Sequence, residues 1–161
     1  MEKPRLDVEL VPRTCFFSNL RSNLKPKVWE DIRQRVILAA DHHCEICGSS
    51  GGGYSLECHE IWQYDDETGV QSLIGLVALC KACHRAKHLA LAREKGWEAA
   101  ARHHIMRVNS WTHAQTHEYI EQVFTVFESR SQTEWDLNID WLIDYGVEIP
   151  ETLDRAKKKS P

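Results

Sequence analysis

The chain has 161 residues, 42% of them hydrophobic, with six cysteines, nine histidines and a formal net charge of −4. This is enough apolar material for one folded domain, and no apolar run approaches the length of a membrane span. The charge is uneven: Lys81 to Arg107 carries seven Lys or Arg against two acids, whereas Glu118 to Asp154 carries ten acids and one Arg. That asymmetry suits either a local polyanion site on an acidic protein or two ordinary solvated surfaces.

The opening "MEKPRLDVELVPRT" has charges throughout and no apolar stretch of the secretory kind. A cytoplasmic, intracellular location is therefore expected, where paired cysteines mean metal more often than disulfide. Residues 1–25 read as an irregular arm, with Cys15 beside Phe16 and Phe17 as a small buried hydrophobe. Pro26 stands where a helix can start, and Val28, Ile32, Val36 and Ala39/Ala40 follow at helical spacing.

In the middle, "CEICGSSGGGYSLECHEIW" reads as a cysteine knuckle, a glycine-rich turn and a strand from Tyr54 to Ile61. "QYDDETGVQ" reads as a polar loop, "LIGLVAL" as a second strand, and "KACHRAKHLALAREKGW" as a helix stopping near Gly96. Beyond it come helical patterns, with Thr112 and Gln115 as a capping box and Tyr119, Ile120, Val123, Phe124 and Phe127 as a core stripe. "EWDLNIDWLIDYG" alternates like a strand, and "RAKKKSP" reads as a loose tail. The fold class is α+β, mainly helical. The expected division is an arm (1–25), a zinc domain with its leading helix (26–96) and a helical region packed on it (97–161).

Cys44 and Cys47 form one CxxC, and Cys80 and Cys83 a second. Two such knuckles supply the four thiolates that a tetrahedral structural Zn2+ takes. His84 and His88 lie four apart, on one helix face, where two imidazoles can share a second ion. Cys58, His59 and Glu60 precede them on a strand. "HEIWQ" lacks the second histidine of a zinc protease helix, because Gln63 stands there. The other six histidines, His103 and His104 among them, read as surface or core residues.

"CEIC", "LECHEIW" and "GLVALCKACHRAKH" together resemble the HNH endonucleases, over roughly residues 40 to 92. The resemblance implies a ββα-metal fold held by a two-knuckle zinc, and metal-dependent hydrolysis of DNA phosphodiester bonds. It places His59 at the general base, His84 at the last motif histidine and His88 at an additional helix ligand. Cys58 stands where the family carries an ion-binding Asp or His. Gly75 stands where it carries the asparagine that orients the base, so another group or a backbone carbonyl has to hold the imidazole. The ion implied is divalent, Mg2+, Mn2+ or Ni2+, with Glu60 either an oxygen ligand or a solvent-facing strand residue. Lys81, Arg85, Lys87, Arg93 and Lys95 are the candidate phosphate contacts, some of them merely solubilising charges. The alternative reading is a catalytically impaired zinc module of the same fold that binds nucleic acid or a protein partner. In that case Trp111, Trp135 and Trp141 are either an interaction surface or packed core. Homo-oligomerisation is open.

Overall fold

The computed structural model of the protein describes residues 3–15, 18–51 and 55–149. Phe16, Phe17, Tyr54 and the expected tail lie outside the described residues. An extended segment leads through a 3-10 turn, Arg13–Cys15, to α1 (Leu20–Asn23) and α2 (Pro26–Ala39). The hairpin β1 (Glu57–Asp65) and β2 (Val70–Leu79) follows, then α3 (Lys81–Lys87), α4 (Leu89–Glu94), α5 (Glu98–Asn109) and α6 (His113–Arg130). A short β3 (Asp136–Asn138) and α7 (Trp141–Asp144) complete the α+β fold.

Local chemistry sets most helix ends. Pro26 occupies the first turn of α2, where its missing N–H costs nothing, and Ile32, Val36 and Ile37 turn inward. Thr112 and Gln115 form the reciprocal capping box of α6, whose Thr116, Ile120 and Phe127 are buried. Gly96, at φ +76°, follows α4 in the left-handed region that favours glycine. The single helix expected over "KACHRAKHLALAREKGW" is two helices, because the His88 backbone leaves helical geometry at φ −94° and ψ 52°.

β1 and β2 pair antiparallel, with a register shift between Ile61 and Trp62. The strands run further than the polar sequence between them suggests. Gln63, Tyr64 and Asp65 pair with Ser72, Gln71 and Val70, leaving a loop of only residues 66–69. Asp65 closes that turn by accepting from the Glu67 and Thr68 amides. The strand expected over "EWDLNIDWLIDYG" is only β3, which lies parallel to β2, and the rest turns into α7.

The arm is a built part of the molecule. Leu6 is fully buried and its backbone exchanges two hydrogen bonds with the Asn109 side chain at 2.9 Å. The Val8 amide donates to the Tyr119 hydroxyl at 2.9 Å, and the Glu9 amide to the Lys87 carbonyl at 3.0 Å. One buried cluster thus joins Leu6 of the arm, Ile32 of α2, Leu79 of β2, Leu89 of α4, Ile105 of α5 and Leu142 of α7. Among the described residues no helix is long and apolar enough to cross a membrane.

Candidate active site

The first knuckle is a tight turn after α2. The Gly48 amide returns to the Cys44 carbonyl, the Cys44 amide reaches the Ser49 carbonyl, and Gly48 takes a positive φ. Two bonds fasten this turn to β2: the Glu45 amide donates to the Ala78 carbonyl, and Glu45 Oε2 accepts from the Ala78 amide at 2.7 Å. The second knuckle starts α3, with Cys80 as its N-cap, its sulfur accepting from the Cys83 amide. Folding therefore brings the sulfurs of Cys44, Cys47, Cys80 and Cys83 within 4.8 Å of one another. A tetrahedral zinc with Zn–S near 2.3 Å needs sulfurs about 3.8 Å apart, and Cys47 and Cys80 already stand at 3.6 Å. The four-cysteine cluster is compatible with zinc.

The sulfurs also compete for protons. A hydrogen bond with Cys83 pulls Cys44 down to about 4, and the same bond pushes Cys83 up. His104 of α5, read from sequence as an ordinary helix residue, is buried with Nε2 3.2 Å from Cys83 Sγ. An imidazole N–H donated from there would support a Cys83 thiolate.

On the other side of α3, His59, His84 and His88 bring one nitrogen each within 4.8 Å of the others. Their ring centroids are 5.6 Å (His59–His84), 4.9 Å (His59–His88) and 4.6 Å (His84–His88) apart. Burial, with the neighbouring His59, pulls His84 down to about 4 and His88 to about 3. Both imidazoles are therefore neutral near pH 7, the form that binds a metal ion.

Glu9 completes this corner. Its Oε2 lies 2.9 Å from His59 Nε2 and its Oε1 accepts from Lys87 Nζ at 2.7 Å. Lys87 also donates to Asp7 at 2.6 Å. Burial pushes the Glu9 carboxyl up, but the hydrogen bonds and charges of His59 and Lys87 bring it below its ordinary value.

Cys58 and Glu60 are not in the histidine group. Successive strand side chains point to opposite faces, so His59 meets α3 while its two neighbours face α1 and α2. Glu60 accepts from the Leu20 amide at 2.6 Å and from Trp62 Nε1 at 3.2 Å; it lines the same cleft as the three imidazoles without joining their group. Burial pushes the Cys58 thiol up to about 12.

The five candidate phosphate contacts divide. Lys87 is only 4% exposed and its ammonium is spent on Asp7 and Glu9. Arg93 is forked onto Glu98 and stacked on Phe124, and Arg85 stacks 3.9 Å over Trp97. Lys81 and Lys95 are exposed. The histidines line a cleft of about 880 Å³ whose cations are Arg21 and Arg33, neither of them singled out in the sequence.

No curated protein and no solved structure matches the chain. A comparison with family models gives a match to HNH endonuclease over residues 44–89. The matched segment holds both knuckles, the whole hairpin, and α3 with His84 and the following His88. Both groups that could hold a metal ion thus lie inside the stretch of this chain that matches the HNH endonuclease family.

Proposed function

We propose that the protein is a metal-dependent endonuclease of the HNH type that hydrolyses DNA phosphodiester bonds. His59 acts as general base, His84 and His88 hold a divalent ion, and the four cysteines hold a structural zinc. The observation that carries the reading is the convergence of His59, His84 and His88 in one large cleft.

With Nε2–H donated to Glu9, His59 Nδ1 keeps the lone pair and takes a proton from water. The water oxygen forms a bond to phosphorus as the bond to the leaving oxygen breaks. A bound ion supplies charge stabilisation for the scissile phosphate and the leaving alkoxide. His84 and His88, neutral and half-buried, would hold that ion beside His59. Imidazole ligands suit Ni2+, Zn2+ and similar ions better than Mg2+, which prefers oxygen. Arg21 at the cleft supplies a cation for a flanking phosphate, and Lys81, Arg85 and Lys95 are further candidates from the basic stretch of the sequence.

One observation favours a second reading, a zinc-stabilised binding module without catalysis. The three histidines are close enough to serve together as ligands of one ion, which would leave no free base.

The test is nicking of supercoiled plasmid by the purified protein in Mg2+, Mn2+, Ni2+ or EDTA. Metal-stimulated cleavage that falls about 10²–10⁴-fold in His59→Ala, with zinc content unchanged, is expected. DNA binding without cleavage in any metal would favour the binding module.

A further inference from the structure

His59 lies on a hairpin face that offers it no polar side chain from across the strands. Its partner on β2 is Val77, and the next pair on that face is Ile61 with Gly75. A general base needs its ring held, because a rotated imidazole or the wrong tautomer presents no lone pair to water. The group that reaches the ring comes from 50 residues earlier: Glu9 Oε2, 2.9 Å from His59 Nε2.

The surroundings make this more than a chance approach. His59 is 4% exposed and Glu9 19%. The second Glu9 oxygen is occupied by Lys87 Nζ at 2.7 Å, and the Glu9 amide donates to the carbonyl of the same residue at 3.0 Å. Lys87 belongs to the helix that carries His84 and is adjacent in sequence to His88. The carboxylate is therefore clamped to the element that presents the ion ligands, with one oxygen left for the base. Anchoring the arm does not require that oxygen. Leu6 burial, its two bonds with Asn109, the Val8–Tyr119 bond and the Asp7–Lys87 pair already hold the arm.

We infer that Glu9 is a positioning residue for His59, the one side chain among the described residues hydrogen-bonded to its Nε2. The arm is thus a working part of the catalytic site. The inference rests on the nuclease reading of the same site.

The experiment measures kcat and KM for plasmid cleavage in Mn2+ or Ni2+ by the full chain, Glu9→Ala and Glu9→Gln, with zinc content and Tm alongside. Glu9→Ala is expected to lower kcat about 10–100-fold with KM and zinc content unchanged. Glu9→Gln, which keeps an acceptor oxygen and the side-chain shape, is expected to fall between it and the wild type. Wild-type kcat in Glu9→Ala overturns the inference. So does a loss confined to Tm and KM with no recovery in Glu9→Gln, which marks an anchor only. If Glu9→Ala does not fold, Glu9→Gln decides alone: lowered kcat at constant KM supports the role and unchanged kcat overturns it. A wild type that cuts nothing in any metal overturns the nuclease reading itself, and this inference with it.

Discussion

Cys58, His59 and Glu60 are consecutive and line one cleft, yet only His59 joins the group with His84 and His88. The alternation of a strand turns His59 towards α3 and its neighbours towards α1 and α2, so the three meet different partners in that cleft. That much was legible in the period of β1. Cys58→Ala is therefore expected to leave second-ion affinity and cleavage within about twofold, at a stability cost of about 1 kcal/mol. Isothermal titration with Ni2+ and a thermal melt would check it, and loss of ion binding would return Cys58 to the ligand set. His104 is the opposite case, with no sequence signal beyond helical spacing. Its contact with Cys83 depends on how α5 packs against α3, a long-range fact. Removing it in His104→Ala is expected to weaken zinc retention about 10–100-fold in a chelator competition, and unchanged retention would reduce the contact to packing.

Elements whose ends are set by local chemistry were readable in advance. Pro26 opening α2, the Thr112–Gln115 box opening α6 and Gly96 closing α4 each follow from residues within one turn. What failed was the extent of elements that depend on a distant partner. Gln63, Tyr64 and Asp65 look like loop because they are polar, and only pairing with β2 makes them strand. β3 stands because β2 offers it a parallel edge. The break at His88 likewise has no helix-breaking residue to announce it. The CxxC pairs were the clearest signal of all, because ligand spacing is itself local. They also join the first knuckle to the start of α3, so stripping the ion with a strong chelator is expected to lose helical signal and cooperative melting together. Circular dichroism before and after chelation would show it; an unchanged melting curve would mean that packing alone holds the knuckles.

Across the whole molecule, the arm is where sequence reading fell furthest short. "LDVEL" does alternate apolar with acidic residues, and the structure uses both sets: Leu6 and Val8 are buried, while Asp7 and Glu9 reach Lys87 and His59. The pattern was visible; its partners, far along the chain, were not. Leu6→Ala should cost about 2–5 kcal/mol by opening a cavity in the shared core, and should lower cleavage in step as Glu9 loses its seat. Urea denaturation and plasmid nicking on the same preparation would test this, and cleavage kept intact despite the lost stability would separate the arm from the site. The central claim is that the fold holds two chemically distinct ion sites, with His59 beside the second without being needed to bind it. Metal content by mass spectrometry after equilibration with Zn2+ and Ni2+ tests it most directly. The account predicts two ions per chain in the wild type and in His59→Ala, and one in His84→Ala, with the cysteine site still filled. A single ion in the wild type, or loss of the second ion in His59→Ala, would contradict it.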